Sequence, residues 1–138
     1  MVKLSKEEKD LYREKGFVVP KSRVSDEIIQ RLREALEDTL RDNPHVRPEQ
    51  LASIHTSKTS ARDTIGHKTF LEVALDNELV DPVSSILGNH IIMWGVQLFC
   101  KPGDDGMEVP MHQDGQYWPI RPLATCTLWL ALDDSDRG

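Results

Sequence analysis

Apolar and polar positions along the chain divide it near residue 90: a helical period of three to four dominates before it, a period of two after it. Ser5 opens a short charged helix that runs to Lys15, where Gly16 supplies its stop. Phe17-Val18-Val19 is a brief β-prone run closed by Pro20. A second helix begins at Ser25, with Asp26 and Glu27 in its first turn, where they complement the helix dipole. Its stripe of Ile28, Ile29, Leu32, Ala35, Leu36 and Leu40 must pack on something. Residues 43–66 carry no clear period; Pro44, Pro48 and Gly66 mark a long loop, a kind of segment more often functional than idle. The pattern then predicts a third helix over Lys68–Asp76 and a fourth over Asn77–Leu87, with Gly88 after it.

From His90 the texture changes. Ile91 to Phe99 reads as a strand ending at Lys101-Pro102-Gly103, followed by an acidic turn over 103–106. His112 to Ile120 is short, aromatic and turn-like. Leu123 to Leu132 alternates cleanly, with Ala124, Cys126, Leu128, Leu130 and Leu132 on one face and Leu123, Thr125, Thr127, Trp129 and Ala131 on the other. Helices followed by strands predict an α+β domain: one unit over 1–138, helical over 1–89, with a mainly β core starting at 90. Two or three strands leave open edges. The sheet therefore reads as incomplete, and 133–138 as a turn into a further strand.

At 138 residues the chain fits one domain with a real core. Its net charge of −6 argues against a nucleic-acid footprint, which needs a basic face. Cys100 and Cys126 sit in apolar runs without CxxC spacing and read as buried, reduced thiols. The first 16 residues lack the apolar core of a signal peptide, and no apolar run approaches the ~18 residues that span a bilayer. No membrane and a cytoplasmic location are the expectation; oligomeric state is not readable.

The chemistry concentrates in His112-Gln113-Asp114. On an extended chain residues i and i+2 point to one side, so an imidazole and a carboxylate can grip one metal ion as neighbours. Another histidine would complete the facial triad of non-haem iron(II), which leaves three positions open. With five histidines and 23 acidic residues, an H-x-D triplet alone is a weak signal. The surroundings strengthen it: Tyr117, Trp118, Pro119, Arg121 and Pro122 are not the residues of an idle solvated turn.

The string HQDGQYWPIRPLATCTLWLALDD resembles the iron-binding core of phytanoyl-CoA dioxygenase-like enzymes. The upstream run MWGVQLFCKPG is similar to the segment leading into that core, and GFVVP fits the family's opening more loosely. The resemblance implies a double-stranded β-helix of jelly-roll type flanked by helices. It implies an iron(II)- and 2-oxoglutarate-dependent dioxygenase that hydroxylates a small organic substrate with dioxygen: an acyl-CoA, a compatible solute or a secondary metabolite. His112 and Asp114 are then the metal ligands. Gln97 and Trp129 match cosubstrate positions, Tyr117 and Trp118 substrate contacts, and Lys58 a weaker basic contact. An aspartate at 114 fills the position that halogenating relatives leave small, so hydroxylation is implied. The family's distal histidine and its 2-oxoglutarate-binding arginine have no counterpart: His112 is the last histidine, and only Arg121 and Arg137 follow it. Upstream His45, His55, His67 and His90 read as loop or surface residues. The chain alone is therefore expected to be inactive. The alternatives are a catalytically silent binding or scaffold domain that keeps the first half of the fold, and a cupin-like metal protein of other activity.

Overall fold

The computed structural model describes residues 3–56, 63–103 and 105–134. Four α-helices follow one another: α1 (Lys6–Lys15), α2 (Asp26–Asp42), α3 (Lys68–Ala74) and α4 (Asn77–Leu87). Each is bounded by recognisable chemistry. At α1, Ser5 and Glu8 form a reciprocal capping box, and Gly16 ends the helix in the left-handed region at φ 80°. A second oxygen of Glu8 accepts from the Lys21 amide at 2.8 Å, which folds 17–21 back over the helix start. The Asp76 carboxylate caps α4, and Glu78 accepts from the Ser25 amide, joining the start of α4 to that of α2.

The core is made by helices and one loop. Ile28, Leu32 and Ala35 of α2 meet Phe70 and Val73 of α3, with Leu51 and Ile54 of the intervening loop beneath them. Ile54 is fully buried. The loop closes on itself at a narrow neck. The His67 amide donates to the Ile54 carbonyl at 2.8 Å. Gly66 is obligatory there, because a Cβ would lie 2.1 Å from the Thr56 carbonyl oxygen. Asn43, just past α2, clamps the same neck. Its amide oxygen accepts from Ile65 N at 2.7 Å, and its amide nitrogen donates to Ile65 O at 2.8 Å and Thr39 O at 2.7 Å. A side chain thus pairs with a backbone as a strand would. Short 3-10 turns cover Pro48–Gln50 and Asp114–Gln116.

The expected mainly β core is not what forms. Among the described residues there is no strand, and so no jelly-roll sheet. The local reading of 91–100 and 123–132 as extended chain has a counterpart in packing: Val96 and Leu98, then Leu130 and Leu132, two apart in each case, rest on the helical core. A strand also needs a neighbouring backbone to complete its ladder. Neither segment makes a backbone–backbone hydrogen bond to the other or to any described residue. They are held by side chains instead, as where Arg33 donates from Nε to the Leu132 carbonyl at 2.8 Å. Phe17 and Val19, the earlier β-prone run, are likewise exposed and outside any strand. The third helix stops at Ala74, two residues short of the expected end, because Asp76 turns outward to cap α4.

Candidate metal centre

The extended chain arriving at His112-Gln113 passes directly into the 3-10 turn that begins at Asp114. That turn brings the two side chains together: His112 Nε2 lies 3.2 Å from Asp114 Oδ1. The other imidazole nitrogen, Nδ1, lies 2.7 Å from the Pro110 carbonyl oxygen. A carbonyl only accepts, so this contact suits a proton on Nδ1. Nε2 faces the Asp114 carboxylate across 3.2 Å, a gap bridged either by a proton on Nε2, as an ion pair, or by a metal ion that both atoms ligate. Two donors bound to one metal at ~2.1 Å sit ~3.0 Å apart at right angles and ~3.4 Å apart at the tetrahedral angle. The observed separation falls between those limits. A backbone carbonyl fixing the far ring nitrogen is also how metal-bound histidines are oriented.

Aromatic rings frame the pair. Tyr117 meets the His112 ring edge to face at 6.2 Å between centroids. Trp118 lies 6.4 Å from Trp94 and so links the turn to the 91–100 segment. His112 and Asp114 are 39% and 48% exposed, open enough for an ion or ligand to reach them from solvent. Arg121 turns back on its own chain and donates to the Ile120 carbonyl at 2.7 Å.

The remaining predicted positions are spread more widely. Gln97 lines a cleft of about 410 Å³ together with Leu51, Phe99, Lys101, Met107 and Val109. Trp129 projects outward, 71% exposed. Lys58 lies outside the described residues. Among the described residues no third His, Cys, Asp or Glu joins His112 and Asp114 in a cluster able to hold a metal. His67 instead caps α3, its Nδ1 accepting from the Thr69 amide, and His55 Nδ1 is buried with no hydrogen-bond partner among the described residues.

Two features of the site have no sequence signal of their own. One is the Pro110 carbonyl that orients His112. The other is a clamp under the approach to the turn: Arg47 spans Glu49 at 2.8 Å and Asp105 at 3.2 Å, while Glu49 also accepts from the Met107 amide. The Arg47 guanidinium, with backbone hydrogen bonds after it, pulls the Glu49 carboxyl down to about 2; the Arg47 pKa rises in return. The two cysteines are free and half-buried. Burial, then the charges of Asp133 and Glu49, pushes the Cys100 thiol up.

Comparison with known proteins settles the ancestry. The family model for phytanoyl-CoA dioxygenase (PhyH) matches residues 12–138, nearly the whole chain. The chain belongs to the phytanoyl-CoA dioxygenase family. It is similar to peroxisomal phytanoyl-CoA dioxygenase of Rattus norvegicus, 29% identical over 151 residues that cover 98% of this chain and 44% of the relative. The Homo sapiens protein of the same name is 28% identical over 151 residues, with the same coverage. A probable phytanoyl-CoA dioxygenase of Caenorhabditis elegans is 24% identical over 154 residues, covering 98% of this chain and 49% of the relative. The chain thus spans less than half the length of these relatives. No solved structure matches it significantly. Among the described residues no helix is long and apolar enough to cross a membrane.

Proposed function

We propose that this chain carries the metal-binding turn of an iron(II)- and 2-oxoglutarate-dependent dioxygenase, acting on a small organic substrate. The names of the relatives favour an acyl-CoA thioester as the class. The observation that carries the reading is the pair of metal-ligating side chains, His112 Nε2 and Asp114 Oδ1, held 3.2 Å apart with Nδ1 2.7 Å from the Pro110 carbonyl. Iron(II) with 2-oxoglutarate supplies the oxidising chemistry when bound.

The chain's own residues have narrower tasks. His112 offers a ring nitrogen whose direction the Pro110 carbonyl sets through Nδ1, which lowers the cost of ordering it on metal binding. Asp114 offers charge to offset that of the ion. Tyr117 and Trp118 provide apolar surface beside the turn for substrate and help exclude water. Gln97 and Trp129 are assigned to 2-oxoglutarate on family resemblance. A second reading, binding without turnover, is favoured by the absence of a third ligand among the described residues.

Titration calorimetry with manganese(II), a redox-inert stand-in for iron(II), tests the site. One weak site is expected, abolished in His112→Ala and Asp114→Ala. Either substitution leaves a single exposed donor, too few to hold the ion measurably. Manganese binding that is unchanged in both variants would remove the basis of the proposal. Iron-dependent release of succinate from 2-oxoglutarate by these 138 residues would overturn the second reading.

A further inference from the structure

The chain reaches the metal turn over a charged clamp that is seated on the helical core. Leu51, 3% exposed, anchors the short 3-10 turn Pro48–Gln50 that precedes it. Arg47 and Glu49 project from that anchored turn, and both reach the segment that leads to His112. Arg47 donates from Nη1 to the Asp105 carboxylate and from Nη2 to the Asp105 carbonyl, each at 3.2 Å. Glu49 Oε1 accepts from Arg47 Nη2 at 2.8 Å and from the Met107 amide at 3.3 Å. Among the described residues, every hydrogen bond between 105–111 and the earlier part of the chain goes to this pair.

The Glu49 side chain is 8% exposed. A carboxylate so enclosed must be paired and hydrogen-bonded, and the guanidinium and the Met107 amide supply both. That separates the clamp from an open surface ion pair, which holds little in place. Three residues beyond Met107 stands Pro110, whose carbonyl lies 2.7 Å from His112 Nδ1. Pro110 fixes its own φ and restricts Val109, so a movement at Met107 is passed along the chain rather than absorbed within it. Displacing 105–107 therefore displaces the carbonyl that orients His112, relative to Asp114 in the 3-10 turn that follows.

We propose that Arg47 and Glu49 are positioning residues for the metal turn: by holding Asp105 and Met107 they set the Pro110 carbonyl, and through it the direction in which His112 faces Asp114. The inference rests on the reading of His112 and Asp114 as metal ligands and names what holds them in register.

Two measurements on the 138-residue chain test it, one of them without metal. Nuclear Overhauser contacts between the His112 and Tyr117 rings report the shape of the turn, since the rings meet edge to face at 6.2 Å between centroids. These contacts are expected in the wild type, lost in Glu49→Ala and kept in Glu49→Gln, which still offers an oxygen to the Met107 amide and Arg47. Manganese(II) affinity, read from the free ion by electron paramagnetic resonance, should follow the same order. It is expected to fall about 10-fold in Glu49→Ala, the lower end of what loss of an outer support costs a metal site, and to stay near wild type in Glu49→Gln. Asp105→Ala removes the other arm of the clamp at a side chain that is 68% exposed, so the chain stays folded, and both readouts should weaken in the same direction. Ile54→Val loosens the core beside the same loop without touching 105–107; it should lower the urea midpoint and leave both readouts unchanged. A clamp with a merely structural role would behave like Ile54→Val. Ring contacts that persist in both Glu49→Ala and Asp105→Ala, or a manganese affinity in both that equals the wild type, would overturn the proposal. A wild type that binds no manganese would overturn the proposed function instead, and the ring contacts would still decide the clamp.

Discussion

Asn43 is the side chain on which the loop before α3 depends most. It is 2% exposed and makes three hydrogen bonds, two of them to the backbone of Ile65 and one to Thr39. Replacing it with alanine removes all three and leaves the Ile65 N–H and C=O to find water at a partly buried neck. Each such bond contributes about 1 kcal/mol net, and an unsatisfied buried group costs more, so the expected loss is about 3 kcal/mol. Against a typical domain stability of roughly 5–15 kcal/mol that is a large fraction. Urea denaturation should show it as a lower midpoint with an unchanged slope, and melting should fall by roughly 10 °C. Asn43→Asp sharpens the test. A carboxylate can still accept from Ile65 N, but its second oxygen then faces the carbonyls of Thr39 and Ile65 with no proton to share. Its loss at neutral pH should match or exceed that of the alanine variant. An Asn43→Asp protein as stable as the wild type at neutral pH would refute the clamp.

Three further outcomes follow from the same structure. Glu49, with its pKa drawn down to about 2 by Arg47 and backbone donors, contributes stability that is fully present above its ordinary value of 4.5 and is lost as pH falls through about 2. Glu49→Gln should flatten that part of an acid denaturation profile, and an unchanged profile would show that the clamp does not form. Ile54→Ala, at a fully buried position, should cost about 3 kcal/mol in chemical denaturation; a cost under about 1 kcal/mol would mean the loop is not part of the core. Gly66→Ala places a Cβ 2.1 Å from a backbone oxygen that has nowhere to go, so it should open the loop neck and lower stability by about 3 kcal/mol. Rapid hydrogen exchange at the His67 amide, whose partner is Ile54, should report the opening.

The helices were legible because their signals are local. Ser5, Gly16 and Gly88 sit where caps and stops belong, and the stripe from Ile28 to Leu40 has one face to bury; Asp76, read as the end of the third helix, instead caps α4. The alternation of 123–132 was also legible, but only Leu130 and Leu132 of its even face rest on the core, while Ala124 and Leu128 on the same face are exposed. The sheet was not legible, because pairing is decided by a second backbone that a segment's own pattern does not contain. H-x-D spacing pointed to His112 and Asp114, and the fold does bring those two side chains within 3.2 Å of each other. The contact itself is set by a 3-10 turn at Asp114 and by the Pro110 carbonyl, neither of which has a side-chain signature. The Arg47–Glu49–Asp105 clamp joins residues far apart in sequence and was invisible for that reason.

The central claim is that His112 and Asp114 together hold a divalent metal. Heteronuclear NMR of the chain during addition of substoichiometric manganese(II) tests it at atomic resolution, since a paramagnetic ion broadens resonances in proportion to their proximity. The account predicts that His112, Asp114 and the neighbouring Tyr117 ring broaden first, and that Asp114→Asn abolishes the effect. Broadening that begins elsewhere, at Asp105 for example, or that persists unchanged in Asp114→Asn, would contradict it.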